Sequence, residues 1–272
     1  MTARDLNDVP ILANKNPLAP SAFTPESLLR EARRQRGLPL ASAPPVCVLD
    51  PDGDIVRFLR KHGRAEQDRA WACYHTELYR HVRGELELGF VPFAVGAPFA
   101  VLVAEQLFAS GCRLLLSITS AGQLADLGAP PYFVLIEKAL RDEGTSYHYM
   151  APSEFSAAEP GMLNALEGAF AGLQTPVHAG STWTTDAPFR ETSHEIDAMR
   201  ASGLAAVEME AAALYAFSHA RRKPVLCFAY VTNRMGQIEG DFEKGDADGT
   251  HDALALIEAT SRIVLPTLEA AR

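Results

Sequence analysis

The stretch AAVEMEAAALYAF (residues 205–217), followed closely by KPVLCFAYVTNR (residues 223–234), decides the fold. The first segment opens with apolar residues interrupted by two glutamates and continues into the uncharged run AAALYAF. The second segment is an apolar run that ends in a threonine, an asparagine and an arginine. This pattern predicts a short strand, a buried helix and a buried strand, which is typical of an α/β fold with a mainly parallel sheet.

The same alternation of strands and helices extends over the chain from Pro45 onward. We predict strands at VCVL (46–49), FVPFAV (90–95), CRLLLSIT (112–119) and VHAGSTWTT (177–185). Helices are predicted at IVRFLRKHG (55–63), FAVLVAEQLFASG (99–111), GMLNALEGAFAGL (161–173), SHEIDAMRASG (193–203) and from about His251. The run PYFVLIEKALRDEG (131–144) fits a strand that enters a turn as well as a strand with a short helix.

Residues 1–44 form a proline-rich N-terminal arm, and residues 45–272 form one domain. The arm holds a helix candidate, TPESLLREARRQRG (24–37), in which Thr24 is the N-cap, Pro25 the first helical residue and Gly37 the stop. We expect this arm to pack on the domain or on a neighbouring subunit.

Composition excludes several classes of function. The net charge is −9 and no basic stripe is present, so we expect no nucleic-acid partner. No apolar run reaches about 18 residues, so we expect no membrane contact. Cys47, Cys112 and Cys227 lie in or beside apolar runs, which predicts reduced core thiols and a cytoplasmic protein. The histidines lack zinc-ligand spacing, so no metal site is expected.

Polar residues follow four of the predicted strands, at DPDGD (50–54), TSAGQ (119–123), TTDAPFRET (184–192) and TNR (232–234). Chemistry in parallel sheets gathers at the carboxyl ends of strands. We therefore place the candidate site at these four loops.

Two interpretations fit the glutamates that flank Met209. Strand alternation puts Glu208 and Glu210 on one face of the chain, just before the buried helix. A carboxylate there is favoured by the helix dipole alone, by about 0.3–1 kcal/mol. Alternatively, Glu210 accepts hydrogen bonds from vicinal sugar hydroxyls, and Met209 forms an apolar wall.

The other loops also leave two interpretations open. STWTTDAPFRET (181–192) fits a polar turn, or a ring site in which Trp183 and Phe189 stack on a base and Asp186, Thr184 or Arg190 contacts its polar edge. TSAGQ fits an ordinary loop, or one in which Ser120 and Gly122 let backbone N–H groups approach an anion or a water. Asn233 and Arg234 either cap a strand end or present planar donors to a ligand.

With these residues assembled, the chain from about Pro45 onward resembles the nucleoside phosphorylase superfamily, which includes uridine phosphorylase and the nucleosidases. The resemblance rests on the order of VCVLDPDGD, AVGAP, GCRLLLSITSAG, GSTWTTD, and AAVEMEAAALYAF with KPVLCFAYVTNR. It implies a single-domain, three-layer fold in which helices flank a mixed, mainly parallel central sheet.

The resemblance also implies cleavage of the N-glycosidic bond of a nucleoside, without a metal or organic cofactor. Phosphate is the co-substrate of phosphorylases, and water takes its place in nucleosidases. The Met-Glu pair of the family binds ribose and maps onto Met209 and Glu210, and Glu208 is a further candidate for contact with the sugar. The strand end Asn233–Arg234 matches the base pocket of uridine phosphorylases. Purine-cleaving members carry an aspartate near this position as the general acid, and Asn233 replaces it here, which favours a pyrimidine or an unusual base. Family members are homo-oligomers, and we expect a dimer or a hexamer.

The phosphate site departs from the family pattern. Arginine is expected in the first turn and at the end of the LLLS strand, where this chain has Gly53 or Asp54 and Ser117. A third arginine from the adjacent subunit is also missing, because its region holds Tyr74 and His75. Other arginines that could contact phosphate are Arg57, Arg80 and Arg83.

Three hypotheses follow from this mixture. Family prevalence favours a phosphorylase with a rebuilt phosphate site. The second hypothesis is a hydrolytic nucleosidase in which Asp54 is the general base for water. The third is a nucleoside-binding module without catalysis.

Overall fold

The computed structural model describes residues 9–235, 239–242 and 244–270. Its strands are β1 (Val46–Asp50), β2 (Glu66–Gln67), β3 (Tyr79–Arg83), β4 (Leu86–Pro92), β5 (Leu114–Gln123), β6 (Tyr132–Asp142), β7 (Phe155–Ala157), β8 (Val177–Thr185), β9 (Ala206–Glu208) and β10 (Val225–Asn233). Its α-helices are α1 (Pro25–Arg36), α2 (Asp54–Lys61), α3 (Ala97–Ala109), α4 (Pro160–Ala165), α5 (Ser193–Ala201), α6 (Ala211–Arg221) and α7 (Thr250–Ala270).

All these strands belong to one mixed sheet, with helices packed against it. The order is β10-β6-β8-β9-β5-β1-β4-β3-β2, with β7 beside β6. Because β10 also pairs with β5, the strands β5, β10, β6, β8 and β9 close into a ring. Of the ten pairings among the described strands, five are parallel, including β5 with its neighbours β1 and β10. The expected α/β fold is confirmed, and the parallel character holds mainly at the centre.

Strands β1 and β10 are buried along their whole length. A strand that is covered on both faces has apolar residues at nearly every position of its sequence. The uncharged residues 211–217 of helix α6 are likewise buried, and the Tyr215 hydroxyl donates to the carbonyl of Ile136 and accepts from the N–H of Cys227 at 3.0 Å. These two hydrogen bonds hold the middle of α6 against β6 and β10.

Several elements differ from the sequence-based expectation. Strands β2, β3 and β7 were not predicted, and the strand expected at 90–95 is β4, which begins at Leu86 and ends at Pro92. β6 is one strand of 11 residues and has no helical end. The stretch TSAGQ is part of β5, where Gly122 and Gln123 pair with β9. The helix expected at 161–173 ends at Ala165, because Gly168 takes a left-handed φ of 73° that interrupts it.

The arm helix α1 follows the predicted cap chemistry. The N–H of Ser27 donates to the Thr24 side chain, and Gly37 closes the helix with a left-handed φ of 63°. Leu29 and Ala32 pack against Ala72, so the helix lies on the same domain. All four cysteines are buried and free. None of the helices in the described ranges has the length and apolar composition of a membrane span.

Candidate active site

A cleft of about 330 Å³ lies where β5, β9 and β10 end and α6 begins. Five of the predicted site residues line it together with Glu208: Ser120, Gly122, Phe189, Met209 and Asn233. Residues that the sequence did not single out complete the wall: Ala121, Pro188, Glu191, Val207, Met235 and Phe242. The structure thus brings together residues from four distant parts of the chain.

Glu210 is the N-cap residue of α6 and is 1% exposed. Its Oε1 accepts a hydrogen bond of 2.7 Å from the N–H of Gly96, in the turn before α3. Its Oε2 is buried and makes no hydrogen bond of standard geometry within the described ranges, although the nearby Thr119 side chain acts to lower the pKa of this carboxyl. Burial, and then the charge of Glu208, raises the pKa of Glu210 to about 8. A buried oxygen without a partner is costly, so this atom would favour a hydroxyl donor. Glu210 itself does not line the cleft, but its chain neighbours Glu208 and Met209 do.

Glu208 has a structural role rather than a free oxygen for a ligand. Its Oε2 accepts from the N–H groups of Glu210 and Ala211, both at 2.7 Å, and so caps α6. Its Oε1 accepts from the hydroxyls of Thr182 and Thr184. The expectation that Glu208 contacts the sugar is not supported, because its oxygens are used by the backbone and by these two threonines.

The turn after β1 presents two carboxylates to one lysine. The Nζ of Lys244 lies 3.0 Å from Asp52 Oδ2 and 2.6 Å from Asp54 Oδ2. Burial lowers the pKa of Lys244, but the hydrogen bonds and charges of both aspartates outweigh burial and raise it. Asp52 also accepts from the N–H and the hydroxyl of Ser120, at 3.2 and 3.1 Å. Asp52 therefore joins the turn to the cleft.

Asp54, the acid expected to face the cleft, is placed differently. It is the first residue of α2 and pairs with Arg57 as well as with Lys244. The helix begins there because Gly53 takes a left-handed φ of 73°, and a Cβ on Gly53 would meet the Phe93 ring at 2.3 Å. This turn directs Asp52, and not Asp54, toward Ser120.

A third aspartate, Asp50, is buried beneath the same turn. Its Oδ2 accepts from the N–H of Val56 at 2.9 Å. Burial raises the pKa of Asp50 to about 7, and the charges of Asp52 and Asp54 add to the increase. Because an unfolded aspartate titrates near 4, the folded chain holds a proton that the unfolded chain releases between these values. Its contribution to stability is present at low pH and is lost as the pH rises through 7.

Asp50→Asn is therefore expected to stabilise the protein more at high pH than at low pH. Asparagine keeps the acceptor for the Val56 N–H but has no charge to bury. Between about pH 5 and about pH 8, the variant should gain about 2 kcal/mol in free energy of unfolding relative to wild type. Urea unfolding at the two pH values measures this gain. If the variant and the wild type differed in free energy of unfolding by the same amount at both pH values, Asp50 would not titrate in this range.

The far side of the cleft is formed by β10 and the loop after β8. Asn233 is 8% exposed, and its Oδ1 accepts from the N–H of Met235 at 2.9 Å. Gly122 packs directly against Met235, because a Cβ atom added at position 122 would lie 2.2 Å from the Met235 sulfur. Glu191 lines this side and is half-buried. Burial raises its pKa to about 7, and the charge of Glu195 adds to the increase.

Several predicted site residues lie elsewhere. Trp183 is 2% exposed in a core cluster and donates through Nε1 to Asp142, so it has no free ring face to stack on a base. Thr184 is buried between Glu208 and the N–H of Ala212, and it supports the cleft without lining it. Asp186 is exposed and accepts from the N–H of Gly144 at 2.8 Å.

The two predicted base-contacting arginines, Arg190 and Arg234, are exposed and do not line the cleft. Phe189 does line it, but its side chain is fully exposed in this structure. Of the two aromatic residues expected to stack on a base, only Phe189 lies at the edge of the cleft.

The arginines considered for phosphate are engaged in other contacts. Arg57 pairs with Asp54 and donates to the carbonyl of Asp52. Arg80 pairs with Asp68 and Glu87 on the sheet edge, and Arg83 pairs with Glu258. At the turn after β1, Asp52 and Asp54 are paired with Lys244 and Arg57, so neither cation is free to bind a phosphate without breaking these contacts.

Sequence reasoning missed Asp52, Lys244 and Glu191. Asp52 and Asp54 are equivalent in the turn DPDGD until the backbone of Gly53 is known. Lys244 is 192 residues from Asp52 in the chain, so spacing gave no signal. Glu191 is one of two acids in the loop TTDAPFRET, and only the other, Asp186, was predicted as a site residue.

Comparisons with known proteins agree with this architecture. The sequence model of the Phosphorylase superfamily matches residues 46–266. Guanosine phosphorylase of Halorubrum lacusprofundi is 29% identical over 155 residues, which cover 57% of this chain and 63% of that protein. The chain therefore spans less than two thirds of the length of this curated relative.

Solved structures of the same fold include an AMP nucleosidase and a uridine phosphorylase. The AMP nucleosidase from Bacteroides thetaiotaomicron has a TM-score of 0.68 at 18% identity, over 90% of this chain and 99% of that one. Uridine phosphorylase from Vibrio fischeri has a TM-score of 0.67 at 19% identity, over 82% and 92%. The family match covers most of the chain and confirms the resemblance seen in the sequence, so this protein belongs to the phosphorylase superfamily of nucleoside phosphorylases and nucleosidases.

Proposed function

We propose that this protein is an enzyme that hydrolyses the N-glycosidic bond of a nucleoside, with water as the acceptor of the sugar. The observation that carries the proposal is the acidic turn on the acceptor side of the cleft. Asp52 bonds to Ser120 in the cleft wall, and Asp54 lies beside it. A phosphate dianion placed there would meet two carboxylates, whereas a water molecule would meet acceptors for its protons.

The positive groups near this turn support water as the acceptor. Lys244 and Arg57 are already paired with the aspartates. Phosphate recognition generally uses arginine pairs that bind two oxygens at once. Of the arginines considered for that role, Arg80 and Arg83 are paired with acids elsewhere in the fold.

In the proposed reaction, the ribose lies over Met209, and its hydroxyls donate to the unpaired Oε2 of Glu210. As the bond from C1′ to the base breaks, its electron pair goes to the base and positive charge develops on the sugar. That charge favours the ionised form of Glu210, although burial alone favours the protonated form. Water adds to C1′ and gives its proton to Asp52, which is the general base in this proposal.

Two observations bear on whether the base is a purine or a pyrimidine. The sequence favoured a pyrimidine because Asn233 stands where purine-cleaving members carry an aspartate. The name of the curated relative, guanosine phosphorylase, instead favours a purine. We propose a purine nucleoside, and the carboxyl of Glu191 on the base side of the cleft supports this choice.

Phosphorolysis is the second candidate, and the same relative's name favours it. In this case Lys244 and Arg57 would have to leave the aspartates to meet phosphate. The geometry therefore supports hydrolysis better.

Phosphate dependence separates the two candidates. The purified protein is incubated with guanosine, inosine and uridine in phosphate-free buffer and in excess phosphate, and free base is measured by chromatography. Hydrolysis predicts release of base at the same rate in both buffers. A rate that rises from near zero with added phosphate would establish phosphorolysis, and binding without release would indicate a nucleoside-binding module.

A further inference from the structure

The proposed reaction lacks a proton donor for the leaving base at the position where the family provides one. Asn233 has an amide that cannot supply a proton, and the N–H of Met235 already donates to its Oδ1. Its Nδ2 lies 3.3 Å from the hydroxyl of Thr232 and 3.5 Å from the carbonyl of Ala121. Asn233 therefore holds the strand end together.

Glu191 is a free carboxyl on the same side of the cleft. It lines the cleft with Asn233, Phe189 and Met209. No described side chain hydrogen-bonds to it or forms an ion pair with it. A half-buried carboxyl without partners inside a ligand cleft is a candidate for proton transfer.

The surroundings of Glu191 favour the protonated acid. Burial raises its pKa to about 7, and Glu195 on α5 adds negative charge. Glu195 itself is held by the N–H and the hydroxyl of Thr192. Other charged groups on the segments that line the cleft are Asp186, Arg190, Glu208, Glu210, Arg234 and Asp241. A general acid works best with a pKa near the working pH, and Glu191 meets this condition.

We propose that Glu191 is the general acid that protonates the departing purine, in place of the aspartate that Asn233 replaces. The bond between C1′ and the purine breaks, and its electron pair is retained by the base. The Glu191 carboxyl gives its proton to a ring nitrogen of that base. The oxygen of water forms the new bond to C1′, and a proton of that water passes to Asp52. The products are free purine and ribose. Solvent then restores the proton of Glu191 and removes the proton of Asp52.

This inference rests on the proposed function, and it makes a purine nucleoside the substrate class. A purine leaves readily only after a ring nitrogen is protonated, whereas nitrophenolate leaves without a proton. The two leaving groups therefore distinguish an acid from a residue that only shapes the cleft.

The test compares wild type, Glu191→Gln and the control Asp197→Asn with guanosine and with 4-nitrophenyl β-D-ribofuranoside. Glu191→Gln is expected to lose at least about 100-fold in kcat for guanosine and less than about 5-fold for the nitrophenyl riboside. In wild type, kcat/KM for guanosine should fall as the pH rises through about 7, and this fall should be absent in Glu191→Gln. Asp197 is exposed on α5 and pairs with Arg200, so its variant should match wild type.

The possible outcomes point to different conclusions. An equal loss with both substrates would overturn the acid role, because it would indicate binding or structure. Unchanged hydrolysis of guanosine by Glu191→Gln would also overturn it. Wild type that releases neither base nor nitrophenol would overturn the proposed function itself, and the inference with it.

Discussion

Glu210→Gln is expected to lower kcat/KM for nucleoside hydrolysis about 100- to 1000-fold. The glutamine can still accept from the Gly96 N–H, so the start of α6 keeps its anchor. It cannot offer a second acceptor to the ribose hydroxyls or a negative charge to the cationic sugar. Steady-state kinetics with guanosine, beside the exposed control Glu137→Gln, measures the effect.

Stability distinguishes this loss from misfolding. Because burial raises the pKa of Glu210 to about 8, the wild-type protein loses stability as the pH rises through that value. Glu210→Gln should therefore be at least as resistant to urea as wild type at about pH 9. A fully active variant would remove Glu210 from the ribose site, and a variant that unfolds more easily would mean that the carboxylate is structural.

Asp52→Asn is expected to lower kcat about 100- to 1000-fold with little change in KM, because an amide cannot accept the proton of water. Its Oδ1 can still accept from the Ser120 hydroxyl, whereas the amide nitrogen replaces the oxygen that accepts from the Ser120 N–H and from Lys244. An unchanged KM would show that the cleft keeps its shape. Kinetics in phosphate-free buffer measure both constants.

Asp54→Asn is the matched control, because both aspartates bind Lys244 and only Asp52 reaches Ser120. This variant should retain kcat within about 10-fold of wild type, since it alters an ion pair and not the proposed base. If Asp54→Asn were inactive and Asp52→Asn active, Asp54 would be the general base, as the sequence suggested, and the assignment of Asp52 would be wrong.

The sequence was most informative where burial and periodicity act together. The uncharged run before Phe217 predicts a helix inside the molecule, and Glu210 at its start then stands out as a carboxylate that needs a partner. The cap residues Thr24 and Gly37 likewise gave the bounds of α1 to within a residue. These features depend on interactions between residues that are close together in the sequence.

Side-chain direction in the loop after β8 was harder to predict, although one signal was available. Alternation along β8 turns Thr182 and Thr184 toward Glu208, and it therefore turns Trp183 to the opposite face. The prediction that Trp183 stacks on a base weighed residue type above this alternation. The ring instead fills a core cluster with Leu124 and Ile196.

The acceptor side could not be derived from sequence because it depends on long-range pairing and on one backbone angle. The left-handed conformation of Gly53 decides which aspartate meets Ser120. Lys244 reaches both aspartates from a distant segment, which Tyr230 anchors by donating to the Lys244 carbonyl at 2.7 Å. Neither feature leaves a periodic pattern in the chain.

Water, and not phosphate, accepts the sugar in the proposed reaction. This is tested by the identity of the sugar product after the wild-type protein cleaves guanosine in excess phosphate, followed by phosphorus NMR and mass spectrometry. Hydrolysis gives free ribose and no new phosphate ester. Formation of ribose 1-phosphate would show that phosphate is the acceptor, and it would require a phosphate site that the turn after β1 does not provide.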